Sequence, residues 1–300
     1  MTRNEPAVLY KYRDDSPYTE SMLLEKRVWL STAQGLNDPL ECQIGEIPKE
    51  WQEKTIHSME CAQIMGALTQ FPGRQPTTLF SLTPRQTRHW RNKVKRMPHP
   101  RQMRAVRALY ADHGVELSRP EEIFVKLRRQ LQTVGIFSLS EAPDSELMWS
   151  HYANGHRGLV FGFQRNNSNQ LGNSVHTMRV TYADEKPTLT AGFKQEVSLI
   201  TSHGAGIKAE ARLAFDDPVF RASISTKTLT WNYEREWRYV ESGGGLQPYP
   251  GPIVEIIFGY KMPQSRRDYY RALLKNSGLS PKEFEMTLQA GSGYELRSLP

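Results

Sequence analysis

Strand-like segments occur at both ends of this chain, and a long helical pattern separates them. Residues 8–13 (VLYKYR) and 27–31 (RVWLS) have the alternating or β-branched composition of strands. The pattern returns in residues 135–140, 158–163, 237–241, 253–258, 284–288 and 295–299. Because a sheet must bury a face against another layer, the two ends are expected to share one sheet. The pattern predicts an α+β fold with a mixed, mainly antiparallel sheet built from the N- and C-terminal parts.

The middle of the chain, residues 49–131, has a helical pattern that is interrupted by several prolines. We interpret it as a helical, basic insertion or subdomain within a single domain that spans residues 1–300. Further helices are predicted over residues 18–26, 194–215, 218–225 and 264–276. Residues 177–182 are a candidate partner strand for residues 158–163.

Composition indicates in which compartment the protein is expected. The apolar stretches are strand-length, and the first twenty residues carry charges such as Arg3 and Glu5 in place of an apolar signal core. Cys42 and Cys61 are too few for a disulfide framework or a four-thiolate metal site. We therefore expect a cytoplasmic protein without a membrane partner, and the oligomeric state stays open.

Positive charge is concentrated in one stretch. The net charge is +7, and residues 61–111 contain ten Lys and Arg residues but no Asp or Glu. Such a stretch can contact nucleic acid, because each neutralised phosphate releases counterions. Within residues 74–107, the expected contacts are Arg88, Arg91, Lys93, Lys95 and Arg96. A solvated helical face explains the same charges equally well, so both interpretations stay open.

A first candidate site is the segment MWSHY, residues 148–152. On a short helix, Met148 and Tyr152 lie one turn apart, which places Tyr152 and its neighbour His151 at the edge of a buried stripe. Together with Trp149, these side chains suit a pocket that holds a flat ring and positions a proton. The alternative is a packed amphipathic helix whose histidine bonds a carbonyl group.

The second candidate site contains two carboxylates, Glu234 and Glu236. In a strand, alternate side chains share a face, so these two are expected to be crowded together, with Lys227 and Trp231 nearby. Crowding raises the pKa of at least one carboxyl group, which prepares a general base or a stabiliser of positive charge. Ion pairs at the protein surface are the alternative explanation for this charge pattern.

A third candidate is the end of the second strand with the turn that follows it. Ser31 and Thr32 supply hydroxyl groups, and Asn37 begins an Asn-Asp-Pro segment, so the region could hold a ligand. The Asn-Asp-Pro segment is equally typical of an ordinary Asx turn, which is the alternative interpretation. The sequence contains no HExxH segment, no phosphate-binding loop and no G-x-S-x-G elbow. A zinc hydrolase, a nucleotide kinase and an α/β-hydrolase are therefore not expected, and no metal site is predicted.

Several of these segments together resemble the bacterial family catalogued as domain of unknown function 2971. The matching pieces, in order, are LYKYR, VWLSTAQGLNDPLE, GIFSLSEAPDSELMWSHYANGHRGLVFGF, KTLTWNYEREWRYV and IVEIIFG. Since this family has no assigned activity, the resemblance supplies motifs and no mechanism.

A second resemblance is to ADP-ribosyltransferases of the Arg-Ser-Glu kind. Arg13, Ser31 and Glu236 follow the order of that family's residues, although Ala33 replaces the last residue of its Ser-Thr-Ser step. The resemblance implies that Arg13 holds a pyrophosphate, Ser31 orients a ribose and Glu236 stabilises an oxocarbenium-like state. It also implies that Glu234 activates the acceptor and that NAD is the co-substrate.

These observations lead to two expectations of function. One is an enzyme that binds or processes a nucleotide-type ligand, at its most specific an NAD-using ADP-ribosyltransferase or NAD glycohydrolase in a toxin or phage-defence setting. The other is a nucleic-acid-binding or partner-binding module without catalysis, in which the residues of the motifs hold the fold.

Overall fold

The computed structural model describes residues 5–38, 41–43, 47–69, 78–185, 195–202, 206–289 and 293–299. For residues 195–202 and 206–212 it describes the backbone only. The chain divides into two compact units. The sheet unit comprises Met1–Ile44, Gln130–Pro187 and Pro218–Pro300, and the helical unit comprises Gly45–Arg129 and Thr188–Asp217.

The strands and helices alternate irregularly along the chain. The strands are β1 (Val8–Arg13), β2 (Arg27–Leu30), β3 (Val115–Glu116), β4 (Gly135–Ser140), β5 (Leu159–Gln164), β6 (Thr177–Arg179), β7 (Thr181–Tyr182), β8 (Gln195–Ser202), β9 (Gly206–Leu213), β10 (Thr226–Lys227), β11 (Glu236–Glu241), β12 (Gly245–Pro248), β13 (Ile253–Phe258), β14 (Lys282–Gln289) and β15 (Gly293–Ser298). The helices are α1 (Pro17–Glu25), α2 (Lys49–Leu68), α3 (Pro84–Lys95), α4 (His99–Ala111), α5 (Ile123–Thr133), α6 (Glu146–Tyr152), α7 (Pro218–Ser225) and α8 (Gln264–Asn276).

An eight-stranded sheet organises the sheet unit. Its strand order is β15-β14-β13-β5-β1-β4-β11-β6, and every pair is antiparallel except β13 with β14. The N-terminal strand β1 lies between β5 and β4, so both ends of the chain contribute to one sheet. The predicted α+β class and the mixed, mainly antiparallel sheet are confirmed.

Alternation along β5 gives the sheet two apolar faces. Leu159, Phe161 and Phe163 join one core, together with residues of α1 and α8. Val160 points to the opposite side and joins a second core with Trp149 of α6. The sheet is therefore covered by helices on both faces, since successive side chains of a strand point in opposite directions.

The helical unit has its own core between α2, α3 and α4. Its buried residues are Ile64, Ala67, Leu68, Val94, Met103 and Val106. The start of α3 is held by a capping box, in which the Thr83 hydroxyl accepts from the backbone of Gln86 and the Gln86 side chain accepts from the backbone of Thr83. In this unit β3, β9 and β8 form a small three-stranded sheet.

Two predictions about secondary structure are wrong. The described part of residues 194–215 does not form the predicted helix, because β8 and β9 pair there as antiparallel strands. Val197 and Ile200 are β-branched and Gly206 is a poor helix former, and these local preferences oppose a helix. Residues 177–182 do not pair with β5, because β6 lies beside β11 at the edge of the sheet.

Among the described residues, no helix combines the length and apolar character that crossing a bilayer requires.

Candidate functional site

A cavity of about 230 Å³ lies in the sheet unit, where β1, β4 and β11 approach the segment that follows β2. Several polar residues that the sequence places far apart meet in its lining. Among the lining residues are Lys11, Ser31, Asn37, Glu41, Tyr152, Lys227, Glu234 and Glu236. Tyr10, Tyr12 and Trp29 contribute aromatic surface to the same cavity.

The ammonium group of Lys227 is the centre of the polar lining. Its Nζ lies 2.6 Å from Glu234, 3.0 Å from Glu41 and 3.3 Å from Glu236. The same nitrogen lies over the ring of Trp231, 4.7 Å from its centroid. Burial opposes the charge of Lys227, but the three carboxylates outweigh burial and raise its pKa above the ordinary value. Lys227 therefore stays protonated.

Arg238 binds Glu236 from within the fold. Residues 236 and 238 are alternate residues of β11, so their side chains share a face. Arg238 donates from Nε and Nη2 to the two Glu236 oxygens, at 2.9 and 3.1 Å. It also donates to Glu41 and, at 2.7 Å, to the Ile224 carbonyl oxygen. Arg238 is fully buried.

These contacts decide the charge of Glu236. Burial by itself raises the pKa of a carboxyl group, but the charges of Arg238 and Lys227 outweigh burial and lower the pKa of Glu236 to about 2. Glu236 is therefore a permanent negative charge at neutral pH. A carboxylate that stays ionised can stabilise a developing positive charge, and it is a poor proton acceptor.

Glu234 reaches the cavity by a different backbone route. It ends a short 3-10 helix, Leu229–Glu234, and Arg235 takes a left-handed conformation with φ of 44° before β11 begins. The prediction that Glu234 and Glu236 share one face of a strand is therefore wrong. The two carboxylates nevertheless converge, because both bind Lys227. The Ser140 hydroxyl fixes the turn by donating to the Glu234 carbonyl oxygen at 2.6 Å.

Tyr152 connects the helix α6 to Glu234. Its hydroxyl donates to Glu234 Oε1 at 2.6 Å and accepts from Asn37 Nδ2 at 2.9 Å. Burial and the adjacent carboxylate raise the pKa of Tyr152, so the hydroxyl keeps its proton and remains a donor. Asn37, Tyr152 and Glu234 thus form one chain of hydrogen bonds at the cavity wall.

Glu234 differs from Glu236 in its response to this environment. Burial is the largest influence and raises the pKa of Glu234 above its ordinary value, against the opposing effects of Lys227 and Tyr152. The pKa of Glu234 is therefore shifted towards neutral pH, while the pKa of Glu236 is shifted away from it. Opposite shifts in adjacent carboxyl groups are typical of sites that divide the roles of proton carrier and fixed charge.

Lys11 is a second cation at the cavity, and the sequence reasoning missed it. Its Nζ donates to the Ser138 carbonyl oxygen at 2.9 Å and lies 4.9 Å from the Phe137 ring centroid. Burial, together with the like charge of Arg13, lowers the pKa of Lys11 to about 8. Glu41 and Arg238 were also missed. Arg238 follows Glu236 at the spacing that places two side chains on one strand face, which is a usable signal.

Five of the predicted catalytic and substrate-binding residues lie outside this cavity lining, and one of them, Trp231, contacts Lys227 through its ring. Arg13 donates from Nε to Thr19 at 3.2 Å, and Thr32 is the residue immediately before the short 3-10 helix Ala33–Gly35. Trp149 is fully buried and donates to the Pro143 carbonyl oxygen at 2.9 Å. His151 is exposed and lies beside Tyr233, with ring centroids 6.2 Å apart. Pro39, which closes the predicted Asn-Asp-Pro turn, lies outside the described residues.

His156, the second histidine of the MWSHYANGH segment, has a packing role. Its ring stacks against Tyr294 at 4.6 Å and faces Trp149 at 6.0 Å, with an interplanar angle of 7° to the latter. Burial lowers the pKa of His156, which favours the neutral ring. The segment therefore contributes Met148 and Tyr152 to the cavity lining, whereas Trp149 and His156 pack against each other.

In the helical unit, the predicted nucleic-acid contacts lie on and just after α3. Arg88, Arg91 and Lys95 line one surface cleft, as their spacing along the helix requires. Arg91 is partly engaged, since its Nε donates to the Ala67 carbonyl oxygen at 3.2 Å. Lys93 and Arg96 are exposed and lie outside that cleft lining. Arg74, at the start of the basic stretch, lies outside the described residues.

Comparison with known proteins gives one match. No curated protein and no solved structure matches the chain significantly. Residues 148–239 match a family model, and this segment contains Tyr152, Lys227, Glu234 and Glu236 of the cavity as well as Arg238. The model is that of the Protein of unknown function (DUF2971), and the match confirms the resemblance to this family over residues 148–239.

Proposed function

We propose that the cavity binds the ribosyl end of a nucleotide-type ligand, with NAD as the substrate, and cleaves its glycosidic bond. The observation that carries the proposal is the pair of carboxyl groups on Lys227, whose pKa values are shifted in opposite directions. Cleavage of this bond needs a fixed negative charge near the ribose carbon and a separate group that takes a proton. Glu236 and Glu234 fit these two roles.

The reaction proceeds by breaking the bond between the ribose C1′ and the nicotinamide nitrogen. The bonding electrons leave with nicotinamide, and the carboxylate of Glu236 stabilises the positive charge that develops on the ribose. Water or an acceptor group then attacks C1′, and Glu234 removes its proton. The Tyr152 hydroxyl, which donates to Glu234 at 2.6 Å, orients that carboxyl group.

The size of the cavity limits which part of the ligand enters. Its volume of about 230 Å³ is below the roughly 300–1,000 Å³ of sites that enclose a drug-sized molecule. The nicotinamide and its ribose therefore occupy the cavity, and the rest of the dinucleotide lies outside. Tyr10, Tyr12 and Trp29 supply the aromatic surface against which a flat ring packs.

Release of nicotinamide from NAD by the purified protein tests the proposal. Glu234→Gln is expected to lower the rate about 100-fold or more, because a positioned general base contributes roughly 10²–10⁴ in rate. Glu241→Gln is the matched control. Glu241 ends the same strand that Glu236 begins, and its carboxylate accepts a hydrogen bond from the Tyr239 hydroxyl. Its rate should stay within about twofold of wild type. If neither free nicotinamide nor a labelled adduct on lysate or nucleic acid forms, the proposal is wrong.

A second candidate function is binding of nucleic acid by the helical unit. It is favoured by the cleft in which Arg88, Arg91 and Lys95 meet, because three adjacent cations match a phosphate backbone. Binding of labelled RNA or DNA should weaken steeply with salt, and the double variant Arg88→Glu, Lys95→Glu should reduce the salt dependence. Lys275→Glu, at the end of α8 in the sheet unit, is the control. Salt-independent binding, or equal effects of both changes, would contradict this function.

A further inference from the structure

Three side chains that commonly bind metals meet in the helical unit. His57 and Cys61 are four residues apart on α2, so they lie one turn apart on the same helix face. His99 is the first residue of α4. One potential ligand atom from each of the three residues lies within 4.8 Å of the other two.

One pair of these atoms has the separation of two ligands in a tetrahedral zinc site, and all three lie within 4.8 Å of one another. Cys61 Sγ lies 3.6 Å from His57 Nε2, and the rings of His57 and His99 have centroids 4.5 Å apart. Zinc binds sulfur at about 2.3 Å and imidazole nitrogen at about 2.0 Å. The edge between two such ligands of a tetrahedron is roughly 3.5 Å. The Cys61–His57 pair already has this separation.

A carboxylate orients one of the two histidines. Glu60 Oε2 lies 2.8 Å from His99 Nε2. With Nε2 donating to Glu60, the lone pair of the ring is on Nδ1, which is then the atom that can bind a metal. Histidines that bind zinc usually donate their other N–H to a carboxylate or a carbonyl oxygen, which fixes the ring and increases its basicity.

The helices that carry the three residues are held together by packed side chains. Ile64, one turn after Cys61, and Met103, one turn after His99, are both buried in the core between α2 and α4. The potential ligands are therefore presented from two helices that contact each other directly. Ligands on packed helices need little rearrangement to bind a metal.

We propose that His57, Cys61 and His99 bind one zinc ion, which joins α2 to the start of α4 and leaves a fourth position for water. One thiolate with two imidazoles selects zinc over magnesium or calcium, which prefer oxygen ligands. Cys61 loses its thiol proton to solvent as the Zn–S bond forms. The proposal is independent of the cavity in the sheet unit.

Cobalt(II) is a spectroscopic probe for this site. Wild type should bind one cobalt per chain and show the absorption of a tetrahedral site with a sulfur-to-metal charge-transfer band, and zinc should displace it. Cys61→Ser should lose the charge-transfer band, and His99→Ala should weaken zinc affinity at least about tenfold. Glu60→Gln is expected to weaken it by about 10- to 100-fold, because it removes the group that orients His99.

Matched controls separate this site from adventitious binding. Cys42→Ser changes the other cysteine, and His89→Ala changes an exposed histidine on α3 of the same unit. Both should keep one metal per chain and the spectrum of wild type. If wild-type protein gives no charge-transfer band, or if His89→Ala weakens binding as much as His99→Ala, the proposal is wrong.

A measurement on the wild-type chain covers the case in which a variant fails to fold. Cys42 is buried, and burial raises the pKa of its thiol to about 11, so it should react slowly with alkylating agents. Cys61 is more accessible and should react first. Added zinc should slow alkylation of Cys61 and raise the midpoint of thermal unfolding. Unchanged alkylation in saturating zinc would overturn the proposal.

Discussion

The hydroxyl of Tyr152 donates a 2.6 Å hydrogen bond to Glu234, a residue 82 positions further along the chain. The bond stabilises the charged form of the carboxyl group and thereby lowers its pKa, against the larger effect of burial. In the proposed cleavage of NAD, Tyr152 would therefore act through Glu234.

Replacing Tyr152 tests this relationship. Tyr152→Phe should lower the rate of NAD cleavage and move the acidic limb of its pH profile to higher pH, because Glu234 loses a donor to its charged form. His151→Ala is the control, because His151 is exposed on the neighbouring position of α6. Its pH profile should match wild type. An unshifted limb in Tyr152→Phe would contradict the role assigned to the hydroxyl.

Loss of the proton from Lys11 should make the rate of the proposed cleavage increase with pH near pH 8. Its pKa is lowered to about 8, mainly by burial, so it loses its proton as the pH rises through that value. A charged ammonium group opposes the positive charge that develops on the ribose, so the rate should rise through about pH 8. Lys11→Met should remove this rise, and Lys275→Met, at the end of α8, should keep it. A wild-type rate that falls through pH 8 would contradict the prediction.

Glu236 should make the stability of the sheet unit sensitive to acid. Its pKa falls from an ordinary value of 4.5 to about 2 on folding, because Arg238 and Lys227 outweigh burial. The resulting stabilisation, on the order of 3 kcal/mol, is complete above pH 4.5 and is lost as the pH falls towards about 2. Urea unfolding, followed by tryptophan fluorescence across this range, measures it.

The variant Glu236→Gln should be less stable at pH 7 and should lack this component of the pH dependence. Glu146→Gln, at an exposed residue of α6, should keep the wild-type dependence. Parallel pH profiles for wild type and Glu236→Gln would show that Glu236 does not carry the effect.

Removing Arg238 should be more damaging than removing an exposed arginine from the same segment. Arg238→Met leaves Glu41 and Glu236 buried without their guanidinium partner, which should cost about 3–5 kcal/mol. Arg235 is exposed, so Arg235→Met should change stability by less than about 0.5 kcal/mol. The free energy of urea unfolding compares the two, and equal losses would argue against a stabilising role of the buried network.

Gly158 is required by close packing after α6. A Cβ atom there would lie 2.2 Å from the Arg13 carbonyl oxygen and 3.0 Å from Ala153 Cα, both backbone atoms. Gly158→Ala should therefore cost about 1–3 kcal/mol through overpacking. Gly243→Ala is the control in the same unit, since nothing lies within 4 Å of the added atom. Thermal unfolding midpoints should fall for Gly158→Ala alone.

Local patterns were sufficient for much of the fold. The predicted strands 8–13, 135–140 and 253–258 and the helix 264–276 coincide with β1, β4, β13 and α8. In each of these segments, the spacing of the apolar residues and the residues at the segment's ends indicate the same type of secondary structure. The region 194–215 was mistaken for a helix because its period is ambiguous, and pairing between β8 and β9 resolves the ambiguity.

The candidate site could be predicted only in part. Glu234, Glu236, Lys227 and Tyr152 were identified because they lie in segments unusually rich in charged and aromatic residues. Glu41 and Lys11 were not, although they lie in the segments NDPLE and LYKYR, because they reach the cavity only through the packing of β1 and of the residues after β2. The sequence also did not predict the backbone turn at Arg235. This turn separates the two carboxylates along the chain, but both still form ion pairs with Lys227.

One physical cause explains why some features could be inferred from the sequence and others could not. Strand and helix periods, the family segment and the overall α+β class depend on residues that are neighbours in the chain, so they can be inferred from the sequence. The charge state of Glu236, the hydrogen bond from Tyr152 and the meeting of His57, Cys61 and His99 depend on burial and on distances between remote segments. Those quantities arise when the chain packs, because packing removes water from the charges and sets which of them are neighbours.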